Sequence, residues 1–230
     1  TWLLLITSGI IGFVIGDLFL FESYTIIGSR IAMLIMTLVP PITAIISYFV
    51  LGENLSIKNI LGMFLTLLGI SMVIINKNNG EQKLKITHSI KGLFFAFIGA
   101  VGQALGLVIS KLGMGSYNAF AATQIRIIAG IIGFAIVISF WRKWSNVNTA
   151  IKNRQAVKRI TLGSVFGPFL GVSLSLFSIQ HTNAGIASTI MSIVPVLIIP
   201  PSIYFFKQKV KPNEVIGAIV SVIGVALFFI

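Results

Sequence analysis

The 230-residue chain has no cysteine, only two histidines and only five acidic residues, and charged side chains make up just 10% of it. Without cysteine there are no disulfides, thiolate metal sites or cysteine nucleophiles. His88 and His181 stand apart, each with no second histidine or carboxylate at ligand spacing, so no metal is expected. The dispersed carboxylates form no nucleophile–base pair, and no glycine-rich loop follows a strand. Neither an enzyme nor a cofactor is expected.

What remains is apolar. Hydrophobic residues are 56% of the chain and the mean hydropathy is +1.01, whereas about a quarter of a soluble domain is charged. A helix needs roughly 20 mostly apolar residues to cross a bilayer. Eight such runs are predicted, over 2–21, 31–51, 59–76, 91–110, 118–140, 160–179, 185–206 and 213–230. A β-barrel would alternate apolar and polar residues, but Ile60 to Ile75 is apolar on every side. The fold class is therefore all-α, a polytopic transmembrane helix bundle.

The charge of +12 would suggest nucleic acid in a soluble protein, but its distribution follows the connectors. Lys and Arg number 0 in 22–29, 4 in 77–91, 6 in 141–159 and 3 in 207–212, against 1 in 52–58, 1 in 111–117 and 0 in 180–184. Alternate connectors thus carry nearly all the cations, as the positive-inside rule produces. The bias places 77–91, 141–159 and 207–212 in the cytoplasm of a cell-membrane protein, with the lipid bilayer and not nucleic acid as the basic residues' partner.

A shift of 155 residues pairs Gly12 with Gly167, Gly16 with Gly171, Pro40 with Pro195, Gly62 with Gly217 and Gly69 with Gly224. The same three-helix unit then occurs twice, at 1–76 and 156–230. The second copy is preceded by two more helices, giving a five-helix repeat over 91–230, while 1–76 holds only the last three helices of its own. The expectation is a fragment of a ten-helix parent that lacks its first two helices. A repeat of five helices inverts on duplication, the plan of many secondary transporters.

Gly16-Asp17-Leu18, Leu38-Val39-Pro40-Pro41 and Leu51-Gly52-Glu53-Asn54-Leu55-Ser56, with Gly167-Pro168-Phe169-Leu170-Gly171, Thr182-Asn183-Ala184-Gly185 and Ile193-Val194-Pro195 in the second copy, resemble the EamA group of the drug/metabolite transporter superfamily. The resemblance covers essentially the whole chain. It implies inverted five-helix repeats and transport of amino acids, other metabolites, drugs or nucleotide sugars, often outward. Relatives are usually drawn with both termini cytoplasmic, which would put 77–91 and 141–159 outside, the reverse of the charge count. The Gly52-Glu53 pair becomes Lys207-Gln208 in the second copy, a departure from the repeat.

Charges inside membrane helices cost several kcal/mol and call for a reason. Arg126 lies deep in 118–140, Gln124 and Gln103 sit on neighbouring helices, and Asp17 lies within 2–21. These four are the candidate substrate-binding residues, with helix gluing as the structural alternative. Asp17 is placed to titrate or to pair with Arg126. Two glutamines and an arginine favour an anionic or zwitterionic substrate group. Arg30, Glu53 and Lys111 fall at helix ends, where anchoring or capping is expected. Pro40, Pro41, Pro195, Pro200 and Pro201 fall inside spans and are the candidate hinges. Glycines at Gly9-Gly12-Gly16, Gly62-Gly69 and Gly99-Gly102-Gly106 line single helix faces and predict close helix contact.

The expected function is export of a small metabolite or drug by alternating access, coupled to protons or another ion or running as passive exchange. The rivals are a membrane-embedded scaffold and an enzyme without transport activity.

Overall fold

The computed structural model describes residues 1–76, 89–197, 200, 204 and 212–227. Among these residues all regular structure is helical. The helices are α1 (Trp2–Ser29), α2 (Ile31–Leu51), α3 (Ile57–Asn76), α4 (Ile90–Met114), α5 (Ala119–Phe140), α6 (Trp144–Lys152), α7 (Arg154–His181), α8 (Ala184–Met191), α9 (Val194–Leu197) and α10 (Pro212–Ala226). Five of them, α1, α2, α4, α5 and α7, are long and apolar enough to cross a membrane.

The packing suits lipid rather than water. Large apolar side chains point outward, with Leu3, Phe49, Ile90 and Phe140 all about 80% exposed, and the interior is made of small residues such as Ala96, Ala100, Ala104, Thr66 and Thr123. Helices in lipid gain nothing by hiding leucine from its own kind, so close backbone approach decides their contacts. The buried hydroxyls of Ser8, Thr66, Thr123 and Thr189 donate to carbonyls three or four residues back in their own helix, as a medium without water requires.

The predicted glycine faces meet. Along the antiparallel α1–α4 seam, a Cβ on Gly102 would lie 2.9 Å from the Cα of Gly16, and one on Gly106 2.9 Å from the Cα of Gly12. Between α3 and α10, Ser221 donates to the Thr66 carbonyl at 3.4 Å. A Cβ on Gly224 would meet the Gly62 carbonyl, and one on Gly69 the Gly217 carbonyl. Residue numbers rise along one helix as they fall along the other, so this pair is also antiparallel.

Three boundaries differ from the predicted ones. The first span was expected to stop at residue 21, because Glu22-Ser23-Tyr24-Thr25 is polar. Ser23 and Thr25 instead return their hydroxyls to the carbonyls of Leu20 and Glu22, and the helix continues until Gly28, whose φ of 79° no ordinary residue adopts easily. The basic stretch before residue 160 is helical too: Asn153 caps α7 by accepting from the Ala156 N–H at 3.1 Å. Connector 141–159 also contains α6, whose Trp144, Val147 and Ile151 share one side.

Pro40, Pro41 and Pro195 stand at the starts of helical segments rather than in helix interiors. Helix α2 is broken at Thr37–Leu38, and Pro40 follows at the start of a fresh segment, Val39–Leu51, where its missing N–H has no intrahelical partner to lose. Pro41 stands beside it on the same first turn. The chain breaks in the same way at Ser192–Ile193, after which α9 begins and carries Pro195. Pro200 lies three residues beyond α9, and Pro201 lies outside the described residues.

Candidate functional site

Two helices contain a wider turn in mid-span. In α1 it covers Ile10–Gly16 and in α7 Val165–Gly171; each is a π-type segment of seven residues, and the two are 155 residues apart. Such segments loosen the backbone ladder and recur at functional sites. Pro168, which removes one donor from the ladder, sits inside the second.

A half-open cavity of about 580 Å³ lies between these turns. From α1 come Phe13 and Asp17, and from α7 the residues at the same repeat positions, Pro168 and Val172. Helix α5 supplies the floor with Ile127, Gly130, Ile131, Phe134, Ala135 and Ile138, and Trp144 of α6 stands at the rim. Trp144 is tied down by its indole N–H, which donates to Ser139 at 2.9 Å. Among the described residues, Asp17 is the one charged side chain in this lining.

Asp17 is half-buried and held by Gln103, whose Nε2 donates to Oδ1 at 2.6 Å and reaches the Gly12 carbonyl of the wide turn at 3.4 Å. Two of the four predicted binding residues are thereby brought together. Arg126 sits close enough to Asp17 for a coulombic interaction but does not line the cavity. It is only 3% exposed, with its guanidinium 4.6 Å from the centroid of the Phe13 ring and its Nε without a hydrogen-bond partner. The glycines of α1 make room for it: a Cβ on Gly12 would lie 3.2 Å from its Nη2.

Gln124 does not join the group. It is exposed, because two residues along a helix from Arg126 is a turn of about 200°. Phe13, Phe134, Trp144 and Pro168 were not singled out by sequence. The one signal that could have found two of them is the repeat offset, which carries Phe13 onto Pro168.

A second polar cluster closes the opposite end of the bundle. Glu53 forms an ion pair with Lys111, and its Oε2 accepts from the Ala184 N–H at the start of α8 at 2.7 Å. Lys111 donates to the Thr182 carbonyl, and Asn183 Nδ2 donates to the Asn54 carbonyl at 3.2 Å. Glu53 is therefore a cap, as its place at a helix end predicts, but the helix it caps is distant in sequence. Beside this latch lies a buried apolar cluster of Leu5, Met114, Leu176, Ile179 and Ala187.

Lipid-facing apolar helices around a small-residue core define an integral, multi-pass membrane protein. The chain belongs to the EamA-like transporter family, whose sequence profile matches residues 1–75 and 90–230, within the drug/metabolite transporter superfamily. It is 26% identical over 195 residues to the uncharacterized transporter YyaM of Bacillus subtilis, covering 84% of this chain and 61% of the relative, so it spans less than two thirds of that protein's length. An uncharacterized transporter of Archaeoglobus fulgidus is 23% identical over 100% of this chain and 77% of its own. One crystal structure superimposes on 97% of this chain and 74% of its own with a TM-score of 0.72 at 16% identity, a likeness of fold.

Proposed function

We propose that this chain carries small metabolites or drugs across the membrane by alternating access, in the direction of export. The observation that supports it most is an asymmetry. The cavity is lined along α5 from Ile127 to Ile138 and bordered by Trp144, toward the end that leads into connector 141–159, while the Glu53–Lys111 latch and its apolar cluster lie toward the other end. With connector 141–159 in the cytoplasm, as the Lys/Arg bias has it, this is an inward-facing form, which an exporter uses for loading and an importer for release; the family resemblance to exporters supports the first.

The moving parts follow from the repeat. The wide turns, the breaks at Thr37–Leu38 and Ser192–Ile193, and the starts of α3 and α10 are all separated by 155 residues. The reciprocal, antiparallel contacts of Gly62, Thr66 and Gly69 with Gly217, Ser221 and Gly224 fit a two-fold axis perpendicular to both helices. For membrane helices such an axis lies in the bilayer plane and relates inverted halves, and the halves then rock about the paired breaks. With no nucleotide-binding motif in the chain, protons or another ion supply the energy, and Asp17 is the carboxylate placed to carry a proton.

The test is untargeted mass spectrometry of the medium and of cell extracts from cells expressing wild type, Asp17→Asn or empty vector. Export requires a compound enriched outside the cells with wild type only. Enrichment inside the cells would reverse the direction, and no difference in either compartment would favour a scaffold.

A further inference from the structure

We infer that the cavity selects a small amphipathic cation, an amine with an aromatic or branched apolar body, and discriminates against carboxylates, free amino acids included. The inference rests on reading the cavity as the substrate site. Its walls are apolar except at one point, and that point is negative. Gln103 occupies Oδ1 of Asp17, and among the described residues no hydrogen bond is made to Oδ2, which leaves it for a protonated nitrogen. A cation there replaces lost water by an opposite charge in direct contact, whereas an anion would be desolvated against the carboxylate, with Arg126 offsetting it only from behind Phe13.

Arg126 would be the natural partner of a substrate carboxylate, but it is 3% exposed and covered by Phe13. An amino acid could therefore place its ammonium on Asp17 only by burying its carboxylate against Phe134, Ile131 or Val172, with no donor to receive it. The repeat sharpens the point. Val172 occupies in α7 the position that Asp17 occupies in α1, so the facing wall offers no second polar contact. Phe134 and Trp144 add aromatic rings to the lining, and aromatic faces attract ammonium groups. At about 580 Å³ the cavity matches a metabolite-sized guest.

The experiment compares four radiolabelled probes that share one phenyl body: phenethylamine, phenethyl alcohol, hydrocinnamate and phenylalanine. Retention by the purified protein in detergent is measured by equilibrium dialysis for wild type, Asp17→Asn and Ala135→Trp, the last filling the cavity from α5. Asp17→Asn is isosteric and its amide oxygen can still accept from Gln103; because it removes the charge facing buried Arg126, each variant is compared only where it elutes as a monodisperse folded protein in size-exclusion chromatography. The expected result is phenethylamine retained about tenfold or more above the other three, with the advantage lost in Asp17→Asn and all binding lost in Ala135→Trp. Hydrocinnamate or phenylalanine retained as well as the amine, and displaced by Ala135→Trp, would overturn the substrate class and keep the site. Binding unaffected by Ala135→Trp, or no retention of any probe, would overturn the site and the inference with it.

Discussion

Asp17 and Arg126 are opposite charges that interact through space without an ion-pair contact, and they face different surroundings: one carboxylate oxygen is held by Gln103 at 2.6 Å, while the guanidinium is packed on Phe13. Removing one charge of such a pair strands the other, whereas removing both does not. Arg126→Met should therefore destabilise the protein alone and cost less in an Asp17→Asn background, with a coupling of about 0.5–3 kcal/mol read from thermal unfolding of the four variants. Additive effects would mean that the two charges do not sense each other. Gln103→Leu leaves the carboxylate without its donor and should cost about 1.5–3 kcal/mol by the same measurement. Sequence made these residues visible because charge inside a membrane span is rare. It could not rank them, since Arg126 and Gln124 both lie in the same span, and only the direction of each side chain separates a buried cation from an exposed amide. The anionic or zwitterionic group expected from sequence takes Arg126 as available, and its burial under Phe13 is visible only in the fold.

Helix contacts in this chain are set by glycine, and equal sequence does not mean equal packing. Gly12 and Gly16 of α1 lie against Gly106 and Gly102 of α4, backbone on backbone, where no side-chain rearrangement can make room. Their repeat partners differ: Gly167 of α7 has nothing within 4 Å of an added Cβ, and Gly171 meets only the Phe166 carbonyl of its own turn. Gly102→Val should therefore force α1 off α4 and abolish the monodisperse folded protein in size-exclusion chromatography. Gly163→Ala, also free of neighbours within 4 Å, should leave it intact and stabilise α7 by about 0.5–1 kcal/mol through helix propensity. If both variants behaved alike, the seam would not be what holds α1. The spacing of these glycines was legible as a face; which faces have a partner was not, because that depends on how helices distant in sequence are placed. The same limit explains the polar run at Glu22–Thr25. It reads as a loop until its hydroxyls are seen to find carbonyls within the helix.

For the whole molecule, an all-helical membrane bundle is legible in the sequence, but against eight predicted spans five helices among the described residues are long and apolar enough to cross, and the state of the bundle is not legible at all. The latch joins Glu53, Lys111 and the Thr182–Ala184 turn, three segments far apart in the chain, and its carboxylate has no counterpart in the second repeat, where Gln208 stands in its place. Under the proposed alternating access the two halves would exchange roles, so an ion pair present in one half only would bias the equilibrium toward the state it closes. A bias of this kind is typically about 1–3 kcal/mol. Because the chain contains no cysteine, single cysteines report access without interference. Ala135→Cys in the cavity should react with a membrane-impermeant maleimide only from the side of connector 141–159. Ala187→Cys, 1% exposed beside the latch, should be inert from both sides. Adding Glu53→Gln removes the pair with Lys111 and weakens the cap on α8, so Ala187→Cys should become reactive from the opposite face while labelling of Ala135→Cys slows. A change in both rates, in opposite senses, is what a two-state access change requires. Faster labelling of Ala187→Cys with Ala135→Cys unchanged would mean local fraying of α8, and the latch would then be a fastening of the fold rather than a gate.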